Sequence, residues 1–490
     1  MLYHLYELSH AAISPARAAA NSTRILLRNP LNPFSYTNIG RNAAAAAELL
    51  ERTTRRYKKP AFNITETAVK GERVAIHEEV VWRKPFCHLI HFKKQVPQGS
   101  PSEPRLLIVA PLSGHFATLL RGTVEAMLPF ADVYITDWHD ARMVPLREGS
   151  FNLDDYIDYV IAMIEQFQGD VHVMGVCQPG VPVMSAVALM ERRHHPFVPR
   201  SVILKGSPID TRVSPTAVNK LAEERGTNWF RRTVITSVPW PNRGHGRLVY
   251  PGFLQLTGFM AMNLDRHLNA HKDLFVNLVR GDGDSVDKHK EFYDEYLAVM
   301  DLAAEYYLQT IDQVFVKHQL AKNEMTHRGE PIDLRAIRHT ALMTIEGEKD
   351  DITGAGQTEA AIHLSTNLAR SKKVHYTQPG VGHYGIFNGS RYRNEVVPRI
   401  VGFMADHDVR GGSFHRLVHR LHGERPEAAP PEPLLPAKAV EIAAETPVEG
   451  EPARLSSLPA NRTIKVKKGR SLARLSGAHG KSRSSKRRRR

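Results

Sequence analysis

The chain has 490 residues, 42% of them hydrophobic and 24% charged, which excludes a mostly disordered protein and leaves room for a large core. Its net charge of +15 is concentrated at one end. Residues 461–490 hold 13 lysines and arginines and no acidic residue, which leaves about +2 on residues 1–460. A nearly neutral body therefore precedes a strongly basic tail.

Two cysteines, Cys87 and Cys177, are too few for a disulfide framework or a cysteine-based zinc site. Residues 1–20 lack the continuous apolar run of a signal peptide, because His4, Glu7, His10 and Pro15 interrupt them. No run reaches the roughly 18 apolar residues that a membrane-spanning helix needs. We therefore expect a soluble protein of a reducing compartment, without a transmembrane segment.

In chain order, an N-terminal helical segment is predicted over residues 1–76, with a helix over 43–56. From residue 77, short apolar runs alternate with helical spacing, which favours a doubly wound, mostly parallel sheet of the α/β class with helices on both faces. Asn152 is the expected N-cap of the first of these helices. The predicted strands are 80–92, 106–111, 133–138, 171–176, 201–206, 340–346 and 374–378, and the predicted helices are 153–167 and 182–193.

The alternation predicts a sheet domain over 77–211 and 336–415, interrupted by an insertion over 212–335. That insertion is mainly helical and rich in aromatic residues, which suits a cap over the sheet's edge. Residues 424–459 are rich in proline, alanine and glutamate and predict an extended linker. Residues 460–490 hold too few large apolar side chains to bury, so a disordered basic tail is expected.

The hexapeptide Gly175–Gly180 lies between a predicted strand and a predicted helix, where a nucleophile elbow would place Cys177. A sharp strand-to-helix turn lifts the reactive side chain above the sheet, and the helix N-terminus favours a thiolate. The general pattern has glycine two residues after the nucleophile, whereas this chain has Pro179. The alternative is that Cys177 is an ordinary buried thiol.

Two further residues supply the partners that a nucleophilic cysteine needs. Asp350 follows a predicted strand, and His383 follows the last predicted strand in a glycine-flanked loop. The chain order nucleophile, acid, base is that of α/β-hydrolases. His383 would take the proton of Cys177, and Asp350 would orient the imidazole. Asp351 is the rival acid, and Asp350 is preferred.

An oxyanion hole is expected from backbone N–H groups in the loop after the predicted strand 106–111. The candidate donors are Gly114 or His115, together with Gln178, the residue after the nucleophile. The alternative is an ordinary turn in which Ser113 and His115 cap the following helix.

Several segments carry a resemblance to a known family: MLYHLYELSHAA, APLSGHFATLLRGTVE, GVCQPG, EGEKDDITGAGQT and GHYGIFNGSR. Over roughly residues 1–407 the chain resembles the intracellular polyhydroxyalkanoate (polyhydroxybutyrate) depolymerases. The resemblance implies an α/β-hydrolase fold and cleavage of storage-polyester granules in the bacterial cytoplasm, with no cofactor. It carries over Cys177 as nucleophile, Asp350 as acid and His383 as base, and it accounts for Pro179.

Two other functions remain open on the sequence alone. A polyester synthase uses a cysteine elbow with the same order of residues, but it favours glycine at position 179 and consumes a coenzyme A thioester. A non-catalytic protein that tethers granules is the other alternative, in which the body is a degenerate hydrolase.

The remaining features give weaker expectations. Four aromatic residues of the insertion are candidates for contact with a polyester surface, although packing in the insertion's own core is the favoured role for any one of them. The segment Arg280–Asp284 resembles a calcium loop but lacks the later ligand positions, so a solvated turn and no metal site are expected. The tail is expected to bind a polyanion, either nucleic acid without sequence specificity or an anionic surface, and the alternative is a disordered end that only aids solubility. The four aromatic residues are Trp229, Trp240, Tyr250 and Phe253.

Overall fold

The central feature of the fold is a nine-stranded sheet. A computed structural model describes residues 2–97, 99, 102–262 and 264–408. The strands lie in the order β1-β2-β3-β5-β4-β6-β7-β13-β14. Pairing is antiparallel from β1 to β5 and parallel from β5 onward. These strands are β1 (Glu66–Val69), β2 (Glu72–Lys84), β3 (Cys87–Lys94), β4 (Arg105–Val109), β5 (Asp132–Trp138), β6 (His172–Val176), β7 (Ser201–Lys205), β13 (Ala341–Gly347) and β14 (Lys373–Gln378).

From β2 to β14 this strand order is that of the α/β-hydrolase fold. Strand β3 is antiparallel to both of its neighbours, and β4 and β5 lie in the reverse of their chain order. The fold class predicted from the sequence is therefore confirmed for the described residues. The strands β6, β7 and β13 are buried at every position, because helices cover both faces of a parallel sheet.

The predicted strand 80–92 is wrong as a single element. The chain forms two antiparallel strands, β2 and β3, which turn at Pro85 and Phe86. Strand β2 is half exposed and β3 is mostly buried. Apolar residues stand on both sides of the turn, so hydrophobicity alone did not indicate where one strand ends and the next begins. The sheet also begins earlier than expected, at Glu66, inside the segment predicted to be helical.

Helices connect the strands and make up most of residues 2–54. The chain starts with two long helices, and four others link the sheet strands. Asn152 is the N-cap of α4 as predicted, in a capping box with Asp155. The helices outside the insertion are α1 (Leu2–Arg28), α2 (Asn38–Thr54), α3 (Arg121–Met127), α4 (Leu153–Gln166), α5 (Gly180–Arg192), α11 (Ala360–Leu364), α12 (Gly389–Arg391) and α13 (Val397–His407).

The insertion between β7 and β13 combines helices with short strands. Its first three strands form a small sheet in the order β10-β9-β8, and the other two form a hairpin. Asp282 is the N-cap of α9, so the segment Arg280–Asp284 is a helix-to-helix turn. The elements are α6 (Ala217–Thr233), β8 (Thr236–Ser237), β9 (Leu248–Tyr250), α7 (Gly252–Met262), α8 (Leu264–Arg280), α9 (Gly283–Tyr296), β10 (Leu302–Ala303), α10 (Ala304–Thr310), β11 (Thr326–His327) and β12 (Glu330–Pro331).

Within these residues, no helix has both the length and the apolar content to cross a bilayer. The predicted linker, 424–459, and the predicted basic tail, 460–490, lie outside the described residues.

Candidate active site

Cys177 occupies the turn between β6 and α5 with the backbone of a nucleophile elbow. Its φ of 66° is in the left-handed region, which a side chain other than glycine adopts only where the surroundings enforce it. The Cys177 N–H donates to the carbonyl of Lys205 at 2.7 Å, and its own carbonyl accepts from the Gly180 N–H at 3.1 Å. These bonds hold the strained turn at the carboxyl end of the sheet.

The glycine that this elbow requires is Gly180. A Cβ at Gly180 would lie 2.3 Å from Cβ of Ser207, so no larger residue fits there. Pro179 has φ −57° and ψ −14°, which proline adopts without strain at the start of a helix. The departure from the general pattern at position 179 therefore leaves the geometry intact, because the close approach falls one residue later.

His383 and Asp350 form a buried hydrogen-bonded pair. The Nδ1 of His383 donates to Oδ2 of Asp350 at 2.7 Å. The other oxygen of Asp350 accepts the backbone N–H groups of Ile352 at 2.9 Å and Thr353 at 2.8 Å. The carboxylate is thus fixed on both oxygens, and it sets the histidine tautomer with Nε2 free of the acid. Asp351, the rival acid, is exposed on the same turn.

The charge of Cys177 acts directly on His383. Burial by itself lowers the pKa of the imidazole, but the negative charges of the Cys177 thiolate and the Asp350 carboxylate outweigh it and raise the pKa well above its ordinary value. The site therefore favours the protonated imidazolium form of His383, which can give up a proton through Nε2.

Gly206 allows this approach and was not singled out from the sequence. It follows β7, the strand between those that carry Cys177 and Asp350, and it has φ 55°. A Cβ at Gly206 would lie 2.9 Å from Cε1 of His383 and 2.8 Å from Cδ1 of Ile386. Its importance depends on a loop 177 residues away, so no local pattern indicates it.

The predicted oxyanion loop follows β4, which pairs with β6, so the loop and the elbow lie at the same edge of the sheet. Gly114 has φ 109°, and a Cβ there would lie 2.3 Å from Oε1 of Gln255. The carbonyl of Gly114 accepts from the Met300 N–H at 2.8 Å. The insertion therefore sets the conformation of this loop.

The side chain of His115 has a packing role that neither sequence interpretation described. Its Nε2 donates to the carbonyl of Tyr296 at 3.1 Å, and the ring packs against Phe259 with centroids 5.2 Å apart. Burial lowers the pKa of His115 to about 4, so the ring is neutral. It does not cap the following helix, where the N-cap is Phe116. His115 connects the loop to α7 and α9.

Tyr306 on α10 is a further neighbour that the sequence did not indicate. Its hydroxyl donates to the carbonyl of Leu112 in the oxyanion loop at 3.2 Å. Burial, and then the nearby charge of Cys177, raise the pKa of Tyr306, so the phenol stays protonated. The side-chain oxygen of Gln178, the predicted second oxyanion donor, is buried and has no hydrogen-bond partner among the described residues.

The four candidate aromatic residues occupy different environments. Trp229 packs edge-on against Phe230, and Tyr250 lies against Tyr307 with centroids 4.1 Å apart. Phe253 stacks on Tyr6 of α1 at 4.1 Å. Trp240 has 79% of its surface exposed. Of these four, Trp240 alone presents an open ring.

One group of possible metal ligands comes together among the described residues, formed by Glu346, Glu359 and His375. Both oxygens of the buried Glu346 carboxylate already accept backbone N–H groups, from Gly356 at 2.7 Å, Thr358 at 2.6 Å and Glu359 at 3.0 Å. The carboxylate therefore secures the segment that follows Asp350, which is a sufficient reason for its burial.

A second Ser-His-Asp grouping lies at the opposite end of the sheet. His172 contacts Ser201 Oγ through Nδ1 at 2.7 Å and Asp408 Oδ2 through Nε2 at 3.2 Å. The side chains of His172 and Asp408 are fully buried, so no substrate reaches them. This grouping attaches the end of α13 to β6 and β7.

Comparison with known proteins agrees with the resemblance stated from the sequence. Residues 206–408 match the family model described as "PHB de-polymerase C-terminus". The resemblance to that family is confirmed. The matched residues include Asp350 and His383, while Cys177 lies before them.

Over 378 residues the chain is 22% identical to the poly(3-hydroxyalkanoate) polymerase subunit PhaC of Haloferax mediterranei, covering 75% of this chain and 70% of that protein. Among solved structures, a putative lipase from Acinetobacter baumannii aligns with TM-score 0.37 and 13% identity, over 68% of this chain and 93% of its own. A monoacylglycerol lipase from Paleococcus ferrophilus aligns with TM-score 0.36 and 14% identity, over 62% and 96%.

Proposed function

We propose that this protein hydrolyses polyhydroxybutyrate and related short-chain storage polyesters in the bacterial cytoplasm, at the surface of the granule. The observation that carries the proposal is the Cys177–His383–Asp350 arrangement on an α/β-hydrolase sheet, in a chain that matches the depolymerase family model. No cofactor is needed for ester hydrolysis at such a site.

The proposed mechanism is a two-stage acyl transfer. The Cys177 thiolate attacks an ester carbonyl of the polymer, and backbone N–H groups of the oxyanion loop and Gln178 stabilise the tetrahedral oxyanion. The ester C–O bond then breaks, and the His383 imidazolium gives its proton to the departing alkoxide. A thioester on Cys177 and a shortened chain with a free hydroxyl result.

The second stage returns the enzyme to its starting state. Neutral His383 takes a proton from water, and the hydroxide attacks the thioester carbonyl. The C–S bond breaks, the acid product leaves, and the thiolate–imidazolium pair forms again. Asp350 keeps Nδ1 protonated throughout, so Nε2 is the atom that exchanges protons.

A polyester synthase is the second candidate, because the chain is also similar to a polymerase subunit. A synthase transfers the same thioester to a hydroxyl group of the growing chain. Both reactions need Cys177, so a variant of that residue alone does not separate them. The donor does, since a synthase consumes 3-hydroxybutyryl-coenzyme A and releases free coenzyme A.

The test compares wild type and Cys177→Ala on two substrates: native amorphous polyhydroxybutyrate granules and 3-hydroxybutyryl-coenzyme A. We expect wild type to release 3-hydroxybutyrate or short oligomers from granules, Cys177→Ala to release none above background, and neither to form polymer. Cysteine-dependent polymer formation would favour the synthase. Equal release by both proteins would overturn the cysteine mechanism, whereas neither product release nor polymer formation by wild type would favour a granule tether.

The basic tail lies outside the described residues, and its binding to a polyanion stays a proposal. Thirteen cations without interleaved aromatic residues favour an ionic, salt-sensitive contact.

A further inference from the structure

The N-terminal helices expose an unusual share of large apolar side chains. Among the described residues, 22 large apolar side chains are exposed, and ten of them lie within residues 2–50. Single exposed apolar residues are normal on a protein surface, whereas a contiguous group usually marks a contact. The ten are Leu2, Leu5, Leu8, Ile25, Leu26, Leu31, Phe34, Tyr36, Ile39 and Leu50.

On α1, three of the five exposed large apolar residues, Leu5, Leu8 and Leu26, lie on one line along the helix. Positions separated alternately by three and four residues share a face of a helix, and seven such positions between Leu5 and Leu26 are all exposed. None of the seven carries a charge. We call them the α1 strip: Leu5, Leu8, Ala12, Pro15, Ala19, Ser22 and Leu26.

The charged residues of α1 lie away from this strip and have partners of their own. Glu7 pairs with Arg56 at 2.5 Å, Arg24 donates to Asn21 at 2.8 Å, and Arg28 pairs with the buried Glu48. The turn between α1 and α2 extends the apolar surface, because Leu31 is 89% exposed and Ile39 is 81% exposed.

The charge pattern indicates which partner fits. A helix that packs against another protein helix usually carries complementary charges at the positions beside its apolar line. The positions beside the α1 strip hold serine, alanine, threonine, isoleucine and one histidine, and no lysine, arginine, aspartate or glutamate. An uncharged surface suits an uncharged partner. The small side chains of Ala12 and Ala19 leave no large projection in the middle of the α1 strip.

The contacts of α1 connect this surface to the candidate active site. Tyr3 and Tyr6 pack on Phe253 of α7, with centroids 5.6 and 4.1 Å apart. Two residues later on α7, the side chain of Gln255 meets Gly114 of the oxyanion loop. A partner held by α1 is thus one helix away from the loop that would receive the ester.

We propose that the α1 strip, with the apolar turn at residues 31–39, is the surface by which the protein docks on amorphous polyester. The polymer offers alkyl groups and ester carbonyls, which carry no charge. Its amorphous surface is deformable, so binding does not require a protein surface of matching shape. This inference rests on the proposed function, because it names how that same site reaches its insoluble substrate.

The test measures binding apart from catalysis. Full-length protein carrying Cys177→Ala is sedimented with native amorphous polyhydroxybutyrate granules, with and without Leu5→Gln, Leu8→Gln and Leu26→Gln together. We expect the triple variant to weaken granule binding by about tenfold or more, because three large apolar contacts are lost. A matched control replaces three exposed residues of other surfaces, Leu146, Leu221 and Leu268, by glutamine, and should bind within about twofold of its parent.

Salt separates the α1 strip from the basic tail. Binding through an apolar surface should persist or strengthen in concentrated sulfate, whereas binding through the tail should fall steeply with salt. Unchanged binding in the triple variant, or equal loss in the control, would overturn the proposal. So would loss of a dimer with unchanged granule binding, which would make the α1 strip a contact between copies.

The result of the granule-binding assay does not depend on whether the chain is a hydrolase. Absence of product release by wild type would reject the proposed function while leaving the binding result readable. A thermal midpoint within a few degrees of the parent excludes misfolding as the cause of lost binding.

Discussion

At the scale of single residues, the orientation of Asp350 and the pKa of His383 have separate physical causes. Two backbone N–H groups, those of Ile352 and Thr353, hold the Asp350 carboxylate independently of its bond to His383, so its orientation does not depend on the histidine. The raised pKa of His383 depends on both neighbouring negative charges. The sequence narrowed the acid to two adjacent aspartates, and only the direction of each side chain separates them.

The choice of acid gives a residue-scale prediction. In Asp350→Asn the amide oxygen keeps the backbone bonds, which turns its NH₂ group toward Nδ1 of His383. The histidine then takes the wrong tautomer, so we expect granule hydrolysis to fall by about 10⁴-fold. Asp351→Asn, on the exposed neighbour, should stay within twofold. The measurement is the initial rate of 3-hydroxybutyrate release, and a larger loss in Asp351→Asn than in Asp350→Asn would contradict the assignment.

At the scale of elements, the elbow and the adjacent end of β7 each need a glycine, because a neighbouring element approaches closely at each position. Gly180 lets α5 pass Ser207 after β7, and Gly206 lets the His383 loop approach. The hexapeptide pattern predicted a turn here correctly, since strand, turn and helix are all local. It did not predict which position must be small, because Ser207 approaches from another strand.

Gly180→Ala tests this contact. The new Cβ would overlap Ser207, and the first turn of α5 is buried, so we expect a loss of about 1–3 kcal/mol in the free energy of unfolding. Ser207→Gly in the same chain should recover most of that loss, because it removes the opposing Cβ. Gly258→Ala, where nothing lies within 4 Å of the added atom, is the matched control. Urea denaturation measures these variants together with wild type and Ser207→Gly alone, and additive effects of the two changes would contradict the contact.

At the scale of the whole molecule, a buried polar cluster attaches α1 to the insertion and to the sheet. The Tyr3 hydroxyl donates to Oδ2 of Asp301 at 2.9 Å, and Oδ1 of Asp301 accepts the Gly252 N–H at 2.9 Å. Asp140 accepts the N–H of Asp301 at 3.1 Å and pairs with Arg142. Burial, and then the charge of Asp140, raise the pKa of Asp301 to about 7.

A raised carboxyl pKa makes the fold bind a proton that the unfolded chain releases at about pH 4. The contribution of Asp301 to stability is therefore present at low pH and is lost as pH rises from about 4 to about 7. Asp301→Asn stays uncharged, so its free energy of unfolding relative to wild type should rise between pH 5 and pH 8, by on the order of 1–3 kcal/mol. Urea midpoints at the two pH values measure this, with Asp351→Asn as the exposed control. Parallel pH curves for wild type and Asp301→Asn would show that Asp301 does not titrate in this range.

The sequence by itself determined the features whose causes are local. Apolar runs long enough to be buried predicted the parallel strands, Asn152 predicted the start of α4, and the order of Cys177, Asp350 and His383 predicted how the strand ends meet. The tight turn between β2 and β3 was missed because apolar residues stand on both sides of it, at 80–82 in β2 and 87–92 in β3, and together predict one strand.

Only the tertiary structure decided the features that depend on distant partners. The packed position of His115 depends on the carbonyl of Tyr296, its neutral state depends on burial, and the need for glycine at position 206 depends on His383. The exposure of the α1 strip depends on what the rest of the chain leaves uncovered. Hydrophobic periodicity shows that a helix has an apolar face, but burial is a property of neighbours that can be hundreds of residues away.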